Sequence, residues 1–208
     1  MIGALSIAAG LALVIAAIPL GASGLAEVPG NPVLKRLHDG NPRPEALRGL
    51  IRSRKASLAW RETGRAAKEL GLAHMMLAES GPGTERDQEY VLAEQALLRG
   101  LALAPVDPYA WTRLALVRMA QRRPPEEVAS ALGLALASGP NEDALLRPTV
   151  RAALHSWEAL DAGRRREASR RIRAAWRADP VRTASDAAAM GQAELLAQIA
   201  LPSGPDNR

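Results

Sequence analysis

Arginine is the residue type best suited to chemistry in this chain of 208 residues, and seven arginines crowd the stretch Arg164–Arg177. At roughly 100° per residue on a helix, four of them fall on one side, namely Arg166, Arg170, Arg173 and Arg177. Ile172 faces the other way, together with Ala168, Ala175 and Trp176. The spacing therefore predicts an amphipathic helix whose arginine face could bind phosphate or carboxylate groups through paired hydrogen bonds. The alternative is a solvated helix face that Glu167 and Asp179 partly neutralise.

The overall charge also favours anionic partners. Lys and Arg number 27 against 22 Asp and Glu, which gives a net charge of +5. The partners that suit the arginine face are an acidic protein, anionic lipid head groups or an acidic polymer. Nucleic acid is disfavoured, because no aromatic side chains interleave with the arginines to stack on bases.

The sequence contains no recognisable catalytic or metal-binding pattern. It has no cysteine, and therefore no thiol nucleophile and no disulfide. Its three histidines, His38, His74 and His155, are too far apart to form a two-histidine metal motif. We therefore predict a protein that is not an enzyme, with no catalytic residues, no metal and no cofactor.

The N-terminal stretch from Ile2 to Ala26 contains no charged residue. At about 1.5 Å per residue it is long enough to cross a hydrocarbon core of about 30 Å. An uncleaved membrane anchor is favoured, because the apolar run is long and no Lys or Arg precedes it. The alternatives are a signal peptide cleaved near Ala22-Ser23-Gly24 and a buried core helix.

Basic residues follow the apolar stretch closely, at Lys35, Arg36 and Arg43. The Lys/Arg bias keeps a positive flank in the cytoplasm. The sequence therefore favours a single-pass protein of the inner or plasma membrane whose C-terminal domain is cytoplasmic rather than periplasmic.

The composition predicts an all-α protein, because Ala, Leu and Arg dominate, Phe is absent and β-branched residues are few. Four segments are expected. Residues 1–27 form the anchor or signal peptide, and residues 28–44 form a linker with too many Pro and Gly residues for a helix. Residues 45–201 form a helical domain, and residues 202–208 form a disordered tail.

Seven helices are predicted within the helical domain. They are Ala46–Ser80 with breaks near Gly64 and Gly71, Asp87–Ala104, Tyr109–Gln121, Pro125–Ser138, Leu145–Leu160, Arg165–Ala178 and Thr183–Ile199. The four tryptophans, Trp60, Trp111, Trp157 and Trp176, are expected to anchor the packing between helices, because they are the largest side chains in a chain without phenylalanine.

One spacing recurs before three of the prolines. A small residue, a larger apolar residue and a second small residue stand five, eight and twelve positions before the proline, with valine as one exception. These are Gly100, Leu97 and Ala93 before Pro105; Ala135, Leu132 and Val128 before Pro140; and Ala175, Ile172 and Ala168 before Pro180. Residues three and four apart share a helix face, so the pattern predicts close helix packing followed by a helix end.

This pattern resembles the tetratricopeptide repeat family, whose helix pairs of about 34 residues stack side by side. Trp111, Leu114 and Ala115 match the tryptophan, leucine and small residue of a repeat's first helix. Departures are Arg118, where the family has tyrosine, and a spacing of 40 residues from Pro140 to Pro180. The resemblance covers about residues 87–180 and implies a short stack of antiparallel helix pairs, preceded here by one transmembrane helix.

Together these features predict a membrane-tethered, non-catalytic scaffold or adaptor that recruits a protein partner to an envelope complex. An accessory factor in bacterial polysaccharide synthesis or export is the alternative. An enzyme of an unrecognised kind is the third possibility.

Overall fold

The structure, a computed structural model, describes residues 2–37, 42–139 and 142–201. These residues form eleven α-helices and no strand, which confirms the all-α prediction. His38, Pro140 and the predicted tail 202–208 lie outside the described residues. The helices are α1 Ile2–Glu27, α2 Asn31–Arg36, α3 Pro44–Trp60, α4 Gly64–Ser80, α5 Gly83–Leu103, α6 Pro108–Ala120, α7 Pro125–Ser138, α8 Leu146–His155, α9 Ala162–Ala178, α10 Pro180–Ala189 and α11 Ala193–Ala200.

Proline and aspartate determine where several helices begin. Pro108 and Pro180 open α6 and α10, at a position where the missing N–H of proline costs no hydrogen bond. Directly before them, the side chains of Asp107 and Asp179 each accept a hydrogen bond of 2.9 Å from a backbone N–H in the first turn. Pro180 therefore begins a helix as well as following one.

The predicted helix Thr183–Ile199 is wrong, because this stretch contains two helices. α10 and α11 are separated at Gly191, whose φ of +68° lies in the left-handed region that favours glycine. The predicted helix Leu145–Leu160 also ends early, at His155, and a single 3-10 turn follows it. Gly71, in contrast, does not break α4.

In the first compact unit, Met1–Pro105, the four long helices α1, α3, α4 and α5 alternate in direction. Arg54 on α3 bonds Glu69 on α4, and a short loop joins the two helices, so they run antiparallel. α4 and α5 are also antiparallel, and a Cβ atom added to Gly100 would lie 2.9 Å from the carbonyl oxygen of Gly64. The small residues of this pair therefore allow close contact between two helix backbones.

The C-terminal part of α1 packs antiparallel on α3. Ser23 Oγ lies 2.8 Å from Ser57 Oγ, and Ser53 Oγ donates a hydrogen bond of 2.6 Å to the carbonyl oxygen of Ala26. Before this contact, the large apolar side chains Leu13, Val14, Ile15, Ile18 and Leu20 are at least 52% exposed. By length and composition, the stretch Leu13–Arg36 is apolar enough to cross a membrane.

The predicted linker is wrong for residues 28–37, because this part is helical and packed. A 3-10 turn covers Val28–Gly30 and leads into α2, which places Val33 against α3 with 8% exposure. Gly30 is buried, and an added Cβ would lie 2.8 Å from Ser53 Oγ. The prolines of this stretch stand in the first turns of helices, where proline is tolerated.

The second compact unit, Val106–Arg208, contains three helix pairs. α6 packs on α7, α8 on α9 and α10 on α11, and α8 also contacts α6 and α10. Tyr109 Oη on α6 donates a hydrogen bond of 2.8 Å to Glu142 Oε2, which precedes α8. That hydrogen bond raises the pKa of Tyr109.

Most of the residues predicted for helix packing are buried, whereas Trp111 is half-buried. The buried set is Ala93, Leu97, Gly100, Leu114, Ala115, Val128, Leu132, Ala135, Ala168, Ile172 and Ala175. Pro105 and Pro180 are exposed. The prediction that all four tryptophans anchor packing is wrong for Trp60, which is the last residue of α3 and is 55% exposed.

Candidate binding surfaces

The predicted arginine face lies on α9, whose N-terminus is capped by Asp161. Ile172 on the inner side is fully buried, whereas the four arginines of the face are exposed: Arg166, Arg170, Arg173 and Arg177. The amphipathic arrangement predicted from the sequence is therefore present. Eleven residues separate Arg166 from Arg177, so the face extends about 16 Å along the helix.

Only one of these four arginines has a carboxylate partner among the described residues. Arg170 pairs with Glu167. Arg173 lies 3.5 Å from the carbonyl oxygen of Ile199, and Arg177 donates to the backbone carbonyl of Arg173 at 3.3 Å. Neutral carbonyls leave the positive charges of Arg173 and Arg177 uncompensated. Arg166 forms no ion pair within the described residues, although its charge helps to lower the pKa of Asp161. All three can attract an anion.

Arg171 on the same helix has a structural role that the sequence reasoning missed. Its side chain is 6% exposed and donates to the carbonyl oxygens of Gly139 at 2.6 Å and Glu142 at 3.3 Å. Glu167 Oε1 lies 3.8 Å from Arg171 Nε. This arginine therefore fixes α9 to the segment that precedes α8.

A groove lies between α8, α9 and α10, with a cavity volume of about 240 Å³. Leu146, Val150 and Leu154 of α8 contribute its apolar wall. Charged side chains of both signs surround it in equal number: Arg147, Arg151, Arg182, Asp143, Asp179 and Asp186. This balance makes the groove less selective for anions than the arginine face of α9.

The central charges of the groove neutralise each other. Arg147 donates two hydrogen bonds to Asp186, of 2.5 and 2.7 Å, in the paired geometry that suits a guanidinium and a carboxylate. This pairing lowers the pKa of Asp186 and raises that of Arg147. Arg151 and Arg182 are exposed and have no ion-pair partner in the part of the chain that the structure describes.

A second polar cluster, which we call the anchor junction, joins α1 to α3 and α4 in the first unit. It is centred on Arg54, whose side chain is fully buried. Arg54 donates to Glu69 at 2.5 Å, to Asn31 at 2.7 Å and to the carbonyl oxygen of Glu27 at 2.9 Å. Arg65 bridges the two carboxylates, at 3.0 Å from Glu27 and 3.1 Å from Glu69. The first charged residue after the apolar stretch is thus bound to the helical domain.

His74 is buried and pairs with a partly exposed carboxylate. Its Nδ1 lies 2.5 Å from Glu89 Oε2, and the imidazole is 3% exposed. Burial lowers the pKa of His74, and the hydrogen bond to Glu89 opposes this effect. Over residues 2–37, 42–139 and 142–201 there is no group of three His, Asp or Glu side chains that could hold a metal ion.

No family model, curated protein or solved structure matches this chain.

A pattern in the sequence of α3 could have predicted the anchor junction. Leu47, Leu50 and Ile51 recur at helical spacing on the buried side of α3, and Arg54 continues the same row. An arginine in an apolar row indicates a buried cation that must be paired. The groove is harder to predict from the sequence, because its lining residues come from three separate helices.

Proposed function

We propose that this protein is a membrane-tethered, non-catalytic scaffold that recruits an acidic protein partner through the arginine face of α9. The observation that carries the proposal is the presence of three exposed arginines without a carboxylate partner among the described residues: Arg166, Arg173 and Arg177. Their guanidinium groups can bind carboxylates through paired hydrogen bonds. The exposed apolar helix α1 supplies the tether.

The anchor junction supports an anchor that stays attached. Ser23 and Ala26 lie at the place where a signal peptide would be cleaved, and both are hydrogen-bonded to α3. Cleavage near Gly24 would remove Ser23, which is 5% exposed, from its buried contact with Ser57. Retention of α1 is therefore favourable for the fold of the first unit.

The helix pairs support a tetratricopeptide-like scaffold. α4 and α5 form one pair in the first unit, and three further pairs follow in the second unit. The small and aliphatic residues quoted for the resemblance are buried within these helices, with Leu97, Leu114 and Ile172 at 0% exposure. Proteins of this architecture commonly present helix surfaces to partners, although the fold alone does not specify which partner.

The charge arrangement favours the arginine face over the groove as the site for an acidic segment. In the groove, Asp186 pairs with Arg147 at 2.5 Å, and the same carboxylate also interacts electrostatically with Arg151 and Arg182. On α9, Glu167 pairs with Arg170, and the other three arginines of the face can bind a ligand. Tethering to the membrane raises the local concentration of the face for a partner at the same surface, so modest affinity is sufficient.

The test is the binding of a fluorescein-labelled decamer of glutamate to the full chain in detergent, measured by anisotropy. Replacing Arg166 and Arg177 by Glu should raise Kd by about tenfold or more, which corresponds to about 1.4 kcal/mol. The salt dependence of binding should weaken as well, since fewer ion pairs form. The matched control, Arg151→Glu with Arg182→Glu, changes the net charge equally but lies in the groove.

Equal losses in the two double variants would show that the peptide follows net charge alone and would contradict the proposal. A loss confined to the groove variant would assign binding to α8–α10 instead. Circular dichroism of both variants should match the parent, because all four residues are exposed.

The orientation proposed for the tether places the helical domain in the cytoplasm, because exposed Lys35 and Arg36 follow α1. Reporters fused after Arg208 should then be active only when they require the cytoplasm. Activity of a reporter that requires the periplasm would show the opposite orientation. The peptide-binding experiment tests the scaffold proposal independently of this result.

A further inference from the structure

One end of the first unit lies on the same side as the N-terminal part of α1. α1 and α3 are antiparallel, so the C-terminus of α3 lies towards the N-terminal part of α1. α4 begins at this end, and α5 ends there, because an added Cβ on Gly64 would lie 3.3 Å from Leu103 Cβ. We call this surface the anchor-side end and define it by Trp60, Arg61 and Leu103.

The side chains that define the anchor-side end are apolar or cationic, and the neighbouring carboxylate of Glu62 is paired with Arg99 of α5. Trp60 is 55% and Leu103 is 51% exposed. Arg61 is also exposed. Its backbone N–H donates to the carbonyl oxygen of Ser57 at 3.0 Å, but its guanidinium group has no hydrogen-bond or ion-pair partner among the residues that the structure describes. A tryptophan, an aliphatic side chain and an unpaired arginine together match the composition of surfaces that lie at the level of lipid head groups.

The pairing of α1 with α3 determines which residue of α1 lies level with Trp60. Trp60 is three residues beyond Ser57, which is about 4.5 Å further along α3. Since Ser57 contacts Ser23, Trp60 is level with Leu20, three residues earlier on α1. A bilayer boundary at Leu20 would therefore place Trp60 at the head-group level. The exposed apolar side chains of α1 between Leu13 and Leu20 lie on the far side of that level.

We propose that the anchor-side end is a membrane-contact surface, in which Trp60 and Leu103 insert at the head-group level and Arg61 binds lipid phosphate. This inference rests on the membrane anchor of the proposed function, and it adds a second point of attachment. Two attachment points, one of them held by the buried Arg54, would fix the angle at which the first unit stands on the bilayer. A partner protein or a second copy of the chain could otherwise cover the same side chains, and the test distinguishes these occupants.

The experiment uses nitroxide labels, because the chain contains no cysteine and each introduced cysteine is unique. The full chain is reconstituted in phospholipid vesicles with a label at Trp60→Cys or Leu103→Cys. Two controls are labelled in the same way. Val14→Cys reports whether α1 lies in the bilayer, and Gln88→Cys lies about 22 Å along α5 from Leu103, towards the opposite end. All four positions are exposed, and the labels should therefore preserve the fold.

Collision rates with oxygen, which concentrates in lipid, and with a water-soluble nickel chelate measure the depth of each label. The ratio of oxygen to nickel collisions at positions 60 and 103 should be several-fold higher than at position 88 and lower than at position 14. Labels at 60 and 103 as aqueous as the label at 88, with position 14 in lipid, would overturn the inference and leave the anchor intact. Protection of position 60 from both reagents would assign the surface to a protein and also overturn it. An aqueous label at position 14 would remove the anchor and this inference together.

Discussion

Arginines of this protein lie in two contrasting environments. At the anchor junction, Arg54 is fully buried and donates hydrogen bonds to three different residues besides its neighbour Ser53. On α9, Arg166 is exposed and has no ion-pair partner among the described residues. A buried cation must be satisfied within the fold, whereas an exposed one costs little to leave available. The contrast separates arginines that hold the structure from arginines that can bind a partner.

The largest effect is expected at Arg54. Arg54→Ala should lower the free energy of unfolding by about 3 to 5 kcal/mol, because it leaves a cavity and removes the partner of buried oxygen acceptors. Arg54→Lys should fall between the parent and Arg54→Ala, since lysine keeps the charge but lacks the planar fork. Denaturation of the full chain in detergent, followed by circular dichroism, measures both. If Arg54→Ala lowered the free energy of unfolding by less than about 0.5 kcal/mol, the junction would contribute no more to stability than an exposed side chain does.

A smaller effect is expected where helices approach through glycine. Gly71→Ala should destabilise the protein by about 1 to 3 kcal/mol through overpacking, because the added Cβ would lie 2.7 Å from Leu97 Cγ. Gly49→Ala is the matched control on α3, where the nearest atom to the new Cβ is 3.9 Å away. That control should be neutral or stabilising by up to about 1 kcal/mol, since alanine is the better helix former. The same unfolding experiment applies, and equal effects of the two variants would contradict the close contact of α4 and α5.

The buried histidine gives a pH dependence that the exposed charges should not give. Burial holds the pKa of His74 below its ordinary value, with Glu89 opposing this effect and Lys55 reinforcing it. The unfolded chain therefore takes up the proton first as the pH falls, so stability should decrease below about pH 6.5 and level off once the folded state is also protonated. In His74→Gln this part of the pH dependence should be lost. If the free energy of unfolding of the parent increased as the pH fell through this range, a lowered pKa of His74 would be contradicted.

The smallest effect is expected on the arginine face. Arg166→Ala should change the free energy of unfolding by no more than about 0.5 kcal/mol, because the side chain is exposed and bonds no described residue. Comparison with Arg54→Ala in the same assay gives the difference between the two environments directly. A large loss for Arg166→Ala would mean that the face is part of the fold rather than a binding surface.

The sequence predicted the helical elements better than the contacts between them. Local signals define α7 as Pro125–Ser138, as predicted, because proline opens it and a small residue ends its apolar pattern. The arginine face of α9 also follows from helical periodicity alone. The packing of residues 28–37 did not, since prolines there stand at helix starts and Gly30 fits closely against α3, a contact between segments more than 20 residues apart. Trp60 was assigned to the core by its size, whereas its place at the end of α3 leaves it exposed.

We expect α1 to remain attached as a membrane anchor that is joined to the folded domain by hydrogen bonds. Mass spectrometry of the chain recovered from alkali-washed membranes tests this claim most directly, because it can detect a peptide that spans Ala22, Ser23 and Gly24 uncut. We expect this peptide to be intact and the chain to stay in the membrane pellet. A chain that begins near Gly24 and is released by the wash would contradict this expectation.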